Sequence, residues 1–170
     1  MTKLIGLMLF IMMVIGVESP LLAVNGKSNQ ATLKGIKGFG VLVENLSPIV
    51  EKGGITKSQL QIEVEFKLRE AGIKVLSREE CLQAPGEPYL YINININTSK
   101  TESDIYPYSI DAMFIQKVSL LRNPGQTSYS VTWSTGGVGS INKDLLSHLR
   151  NVVGDILDVF IKAYLTENPR

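Results

Sequence analysis

The feature that most constrains the fold of this chain is residues 89–98, in which apolar and polar side chains alternate without interruption. Successive side chains of a β-strand point to opposite faces of the sheet, so this period of two predicts a strand with one apolar face and one polar face. The apolar face has to be covered by a second layer of structure. It comprises Leu90, Ile92, Ile94, Ile96 and Thr98, and the polar face comprises Tyr89, Tyr91, Asn93, Asn95 and Asn97.

The polar face of this strand offers a row of hydrogen-bonding side chains, with Tyr91, Asn93 and Asn95 at its centre. Such a row is suited to bind a polar polymer or another protein. It is also what an ordinary solvent-facing sheet surface contains. The sequence alone leaves both interpretations open, and we take these three residues as candidate binding residues.

A second alternating segment, residues 59–69, fits either a strand or a helix. The signals at its ends favour a helix, because Thr56 and Gln59 have the spacing of a capping box and Gly72 is a typical stop. We therefore predict a helix with a core stripe of apolar residues every three to four positions. The stripe consists of Leu60, Val64, Leu68 and Ala71.

The same helix would have a second apolar stripe, formed by Ile62 and Phe66, well away from the first. One interpretation is that the helix is buried on two sides, by the sheet and by the C-terminal helix. The other is that the stripe is exposed and forms a homodimer contact or a contact with a partner protein of the cell envelope. Ile62 and Phe66 are therefore candidate binding residues as well.

Taken together, the sequence patterns predict an α/β (α+β) fold whose secondary-structure elements follow in the order β-α-β-(short α)-β-β-β-α. We expect one two-layer domain over residues 35–170, with a mixed sheet of about five strands and two main helices. The glycines at residues 136–139 are expected to form a flexible joint between the last strand and the last helix. The strands are predicted at residues 36–46, 73–76, 89–98, 105–121 and 127–134, and the last helix at residues 140–166.

Residues 1–23 have the organisation of a signal peptide, with Lys3 before an uninterrupted apolar run at residues 4–17. As a helix this run would be about 21 Å long, which is shorter than the roughly 30 Å of a bilayer core. Cleavage after Ala23 fits best, cleavage after Gly26 is the alternative, and an uncleaved anchor is the third option. Residues 24–34 are expected to be a flexible segment, and the protein to be exported to the periplasm or the extracellular space.

Cys81 is the one cysteine of the sequence, and it lies far from the leader. The chain therefore cannot carry an N-terminal lipid on cysteine or form an internal disulfide, and its fold has to depend on its core. We expect Cys81 to be a small buried residue. With one cysteine and one histidine, no metal site and no cofactor are predicted.

Charge and motifs exclude several classes of function. Seventeen basic and sixteen acidic residues give a net charge of +1, and the basic residues are dispersed, so nucleic-acid binding is not expected. The glycines at residues 35–40 precede a strand and do not link a strand to a helix, as a phosphate loop would. His148, one helical turn after Asp144, is a candidate general base for a small secreted hydrolase.

Residues 64–77, together with the preceding strand at residues 39–44, resemble the opening unit of exported bacterial domains of the TolB N-terminal type and of the lipoprotein activators of penicillin-binding proteins. The resemblance covers residues 36–80, and the chain lacks the lipidated cysteine of those activators and the propeller of TolB. It implies a non-catalytic, partner-binding role in the bacterial cell envelope. No functional residue carries over from it.

The sequence thus favours an exported binding or adaptor domain that acts through its sheet face or through Ile62 and Phe66. A small secreted hydrolase that uses His148 with an acidic residue is the alternative. A third interpretation is an apolar ligand held between the sheet and the terminal helix.

Overall fold

The computed structural model of the protein describes residues 25–98 and 104–169, so the predicted signal peptide lies outside the described residues. The fold is mixed α+β, with a four-stranded sheet in the order β1-β2-β3-β4. β1 and β2 are parallel, whereas β2 and β3, and β3 and β4, are antiparallel. The strands are β1 (Gly40–Val43), β2 (Tyr89–Ile96), β3 (Ile105–Leu120) and β4 (Asn123–Asn142).

Five helices accompany the sheet in the described residues, and the longest two, α3 and α5, cover one of its faces. The helix predicted at residues 59–69 is confirmed as α3, with its capping box: Gln59 N donates to Thr56 Oγ1 over 3.3 Å, and Thr56 N donates to Gln59 Oε1 over 3.4 Å. The helices are α1 (Lys27–Gln30), α2 (Pro48–Lys52), α3 (Lys57–Glu70), α4 (Arg78–Gln83) and α5 (Leu149–Glu167).

The core between the sheet and α5 is built around the ring of Phe160. This ring lies 5.4 Å from Phe39 at the start of β1, 5.8 Å from Phe114 on β3 and 5.1 Å from Trp133 on β4, measured between centroids. All four side chains are fully buried. Tyr164, one turn later on α5, also contacts Phe39 and donates a hydrogen bond from its hydroxyl to the carbonyl of Ile36.

The number of strands differs from the prediction, because the strand expected at residues 73–76 is reduced to a single bridge between Phe39 and Val75. Beyond that bridge, the free edge of β1 is occupied by a side chain of α3. The amide of Gln61 accepts from Val43 N over 2.9 Å and donates to Val41 O over 3.0 Å. This amide therefore takes the place of a fifth strand, since it satisfies the backbone groups that such a strand would pair.

The flexible joint predicted at residues 136–139 is wrong, because these residues lie inside β4 and pair with residues 108–111 of β3. The last helix accordingly begins at Leu149 and not at residue 140, after a 3₁₀ turn over Lys143–His148. Glycine is unfavourable in a strand on its own account, but a long antiparallel ladder supplies hydrogen bonds that outweigh this preference. The ring of Tyr108 also covers the position that a side chain would occupy at Gly139.

The segment predicted to be flexible, residues 24–34, requires a correction as well. Residues 27–30 form α1, and a 3₁₀ turn over Ala31–Leu33 places the fully buried Leu33 in the core. Asn168 after α5 donates from Nδ2 to the carbonyl of Leu33 over 2.9 Å. The polar composition hid this role, because one buried leucine and a few side-chain hydrogen bonds are enough to fix so short a segment.

Replacing Phe160 by alanine should cost about 3–5 kcal/mol of unfolding free energy, because the cavity would lie where two strands and α5 meet. Phe66→Ala on α3 removes the same atoms from an exposed helical position and should change stability by less than about 0.5 kcal/mol. Urea unfolding followed by tryptophan fluorescence measures both, since Trp133 lies against Phe160. Equal losses in the two variants would contradict the central role of Phe160. If the alanine variant does not fold, Phe160→Leu leaves a smaller cavity and should cost less than alanine but more than Phe66→Ala.

Candidate functional site

The candidate site is the sheet face that α3 and α5 leave uncovered, which we call the open face. In the described residues, helical cover on this side is confined to α4, which packs Cys81 over Gly40 at one end. Cys81 is buried, as predicted, and donates from Sγ to the carbonyl of Pro88 over 3.1 Å. Burial raises the pKa of this thiol, so Cys81 contributes packing and not a reactive thiolate.

The open face is defined by the residues of the four strands whose side chains point away from α3 and α5. It comprises Leu42, Tyr91, Asn93, Asn95, Ser109, Asp111, Met113, Ser134, Gly136 and Val138.

The sheet register brings three of the five predicted site residues together on this face. Tyr91 lies across from Met113, Asn93 across from Asp111, and Asn95 across from Ser109. Within the described segments, the side chains of Asn93, Asn95 and Asp111 make no hydrogen bond or ion pair with another residue. Their donors and acceptors are therefore available to water or to a binding partner.

Asp111 is the residue of this face that the sequence did not single out from the other carboxylates. It is half-buried, and desolvation raises the pKa of its carboxyl group above the ordinary value. A carboxylate that loses water without gaining a hydrogen bond or a cation destabilises the fold in its charged form. Sequence could not reveal this, because burial and the missing partner depend on the register between β3 and β4.

Gly136 faces Asp111 on β4 and makes room for its carboxyl group. A Cβ atom at Gly136 would lie 2.5 Å from Asp111 Oδ1 and 2.6 Å from the carbonyl oxygen of Ile110. The second of these contacts is with backbone, so no rotamer change of Asp111 would relieve it. The glycine is therefore required by the position of Asp111 and by the close approach of the two strands.

Tyr91 is fixed in place at the other side of this polar row. Its hydroxyl donates a short hydrogen bond to the carboxylate of Glu44, just after β1. This bond, together with partial desolvation, raises the pKa of Tyr91 to about 12. Tyr91 is therefore neutral at physiological pH and presents an oriented ring beside Asn93.

Two depressions border the open face. One, with a volume of about 740 Å³, lies at the far end of the sheet around Asn95, Ser109 and Val138. The other, of about 800 Å³, lies between β1, α3 and α4, and the exposed side chains of Leu42 and Leu82 line it. The face thus joins a polar centre to an apolar flank.

Ile62 and Phe66 lie on a different surface, on the side of α3 that points away from the sheet. Their exposed fractions are 66% and 60%, so the interpretation that buries the stripe between two layers is wrong. The other side of α3 packs on α5, where Lys67 Nζ lies 2.8 Å from Asp158 Oδ2. The five predicted binding residues therefore form two separate surfaces.

His148 lies at the start of α5 and is exposed. No ion pair or hydrogen bond joins it to Asp144, Asp155 or any other carboxylate among the described residues. In the same residues, no three His, Cys, Asp or Glu side chains converge as metal ligands would. The space between the sheet and α5, which an apolar ligand would need, is filled by the rings around Phe160.

The sequence was also compared with models of known protein families and with curated proteins, and neither comparison returns a match. The resemblance of residues 36–80 to bacterial envelope domains therefore stays a prediction. Within residues 25–98 and 104–169, no helix combines the length and the apolar character that crossing a bilayer requires.

Asp111→Asn should increase the unfolding free energy at pH 7. The raised pKa means that the folded state favours protonated Asp111, so the stability that this proton gives is present below the ordinary carboxyl pKa and is lost as the pH rises through the folded pKa. The advantage of the asparagine variant should therefore be present at neutral pH and vanish as the pH falls below the ordinary carboxyl pKa of about 4. Urea unfolding across this pH range measures it.

The control is Asp155→Asn on the solvent side of α5, which removes the same charge without touching the sheet. Any gain in stability should be specific to Asp111. If Asp111→Asn is less stable than the wild type at pH 7, the carboxylate has a stabilising partner and our description of the site is wrong.

Proposed function

We propose that the protein is an exported, non-catalytic binding or adaptor domain of the bacterial cell envelope, and that it binds its partner through the open face. The observation that carries this proposal is the set of unpaired polar side chains at the centre of that face: Asn93, Asn95 and the desolvated Asp111. Groups that destabilise a fold are concentrated at functional sites, because binding requires them to be unsatisfied in the free protein.

The position of these side chains supports recognition. Asn93 and Asp111 lie on the two central strands of the sheet, and behind them is the core packed against α5. Side chains held on such a rigid support lose little conformational entropy when they bind, so more of each contact contributes to affinity. The apolar flank at Leu42 and Leu82 adds contact area of the kind that surrounds polar contacts in protein interfaces.

The stripe of Ile62 and Phe66 is the second candidate surface, and its exposure is the observation in its favour. Two exposed apolar side chains make a small patch compared with the area of a stable interface. We therefore propose this stripe as a weaker or secondary contact, with a partner protein or with a second copy of the chain.

Export predicts a specific mature N-terminus. When the full chain is produced in a Gram-negative bacterial host, the periplasmic fraction should contain a protein that begins at Val24, as determined by intact mass spectrometry. Leu9→Arg places a charge inside the apolar run and should leave the precursor, which begins at Met1, in the cytoplasm. A wild-type chain that keeps its first residues and stays in the cytoplasm would contradict export.

Site-specific photocross-linking in cells tests the binding surface. A photoreactive phenylalanine analogue at Asn95 should form a covalent adduct with a partner, because this residue is exposed and belongs to the polar row. The same analogue at Phe66 reports on the helical stripe, and at Lys162, on the exposed side of α5, it is the control. If the pattern of adducts at Asn95 equals that at Lys162, the proposed role of the open face is wrong.

A further inference from the structure

We propose that Asp111 is the receptor for a basic side chain, an arginine or a lysine, which a partner protein inserts onto the open face. This inference rests on the proposed function and names the chemistry of its partner. Three observations lead to it. The first is that Asp111 and Gly136, each unfavourable in a strand, face each other. The second is the geometry around the carboxyl group, and the third is the charge of the face.

The first observation is that β3 and β4 each depart from the usual preferences of a strand at the same pair of residues. Asp111 places a partly desolvated carboxylate on a sheet face without a partner among the described residues. Gly136, directly opposite, puts the residue with the highest entropic cost of ordering into the middle of a strand. Either residue alone would be a local defect, whereas together they place a carboxyl group over a glycine on the open face.

The second observation is the geometry around the carboxyl group. Asp111 Oδ1 lies 2.5 Å from the point where a Cβ atom of Gly136 would be, so no side chain of residue 136 covers the carboxyl group, and Asn93 lies across from Asp111 on β2. An incoming guanidinium could donate to both carboxylate oxygens of Asp111 and to the amide oxygen of Asn93. Arginine presents five N–H donors in one plane, so it fits such an arrangement, and a lysine ammonium fits with fewer bonds.

The third observation is the charge of the face. Asp111 at the centre of the face and Glu44 beside its β1 edge are both acidic, and Tyr91 already donates to Glu44. Lys117 lies further along β3 and already forms a salt bridge with Glu87, with 3.1 Å between Lys117 Nζ and Glu87 Oε1. A cation that binds Asp111 would therefore supply the missing counter-charge, whereas an anion such as a nucleic acid would be repelled.

The surroundings favour a protein partner over a neutral sugar. Met113 and Val138 lie on the same face beside Asp111 and Gly136, and Val138 is 71% exposed. Such groups can pack along the aliphatic stem of an arginine or lysine, which keeps its charged end at the carboxylate. A neutral sugar would offer hydrogen bonds to the face and would leave the charge of Asp111 without a counterpart.

The experiment that tests this proposal is phage display: short random peptides are selected for binding to the wild-type protein that begins at Val24. The selected peptides should share an arginine or a lysine, and replacing that residue by citrulline or norleucine should weaken binding about ten- to a hundredfold. Asp111→Asn should weaken binding to a similar extent. The two changes together should cost little more than either one alone, because both remove the same contact.

Asn95→Trp provides the discriminating control, because it blocks the open face and leaves Asp111 in place. Peptides that lose affinity for the tryptophan variant but bind Asp111→Asn normally would overturn the role of Asp111 and leave the proposed function intact. Selected peptides without a basic residue would do the same. If no selected peptide is sensitive to either variant, this inference and the open face as the binding surface are both wrong.

Discussion

The packing of Phe160 against the sheet is the interaction on which the rest of the structure depends. Its ring contacts Phe39 at the start of β1, Phe114 on β3 and Trp133 on β4. One side chain of α5 thereby joins three separate parts of the sheet across a layer that contains no disulfide. Since α3 is held to α5 through Lys67, which donates to Gly154 O and Asp158, the helical layer forms on that one face. Among the described residues, no comparable helical layer covers the opposite face, where α4 packs at one end.

The core and the open face therefore make opposite contributions to stability. Aromatic packing behind the sheet supplies stabilisation, and the position of Asp111 and Gly136 in front of it removes some. A fold can keep such a pair only where the rest of its core is well packed, which is the usual relation between a rigid scaffold and a strained or unsatisfied site. The candidate site lies on the two inner strands, β2 and β3, where each strand is paired on both sides.

The elements with strong local signals could be predicted from the sequence. The period of two at residues 89–98 and the capping box at Thr56 are properties of a few neighbouring residues, and both elements form where they were expected. Part of the open face could also be predicted, because the alternation of residues 89–98 places Tyr91, Asn93 and Asn95 on the same side of the strand. The strand at residues 73–76 was overestimated, since the side chain of Gln61 occupies most of the edge where it would have paired.

The remaining features depend on contacts between distant parts of the chain, which no local pattern contains. Residues 136–139 look like a hinge in isolation, and they become a strand because β3 offers them a partner along its length. The importance of Asp111 arises in the same way. Nothing in the sequence distinguishes the five aspartates of the chain from one another. The pairing of β3 with β4 places this one over a glycine, without an ion pair to any cation of the described residues.

The protection of the β1 edge bears on why we assign recognition to a face. At β1 the Gln61 amide occupies backbone groups that an added strand would use, and at β4 Asn29 donates from Nδ2 to one carbonyl, that of Thr132, over 3.1 Å. An edge occupied as β1 is resists pairing with other chains. Binding by strand addition depends mainly on backbone hydrogen bonds and therefore tolerates many partner sequences, whereas binding on a sheet face depends on the partner's side chains. The partner that we propose for the open face would therefore be recognised by its side-chain chemistry, and we expect single substitutions at Asn93, Asn95 or Asp111 to alter its affinity.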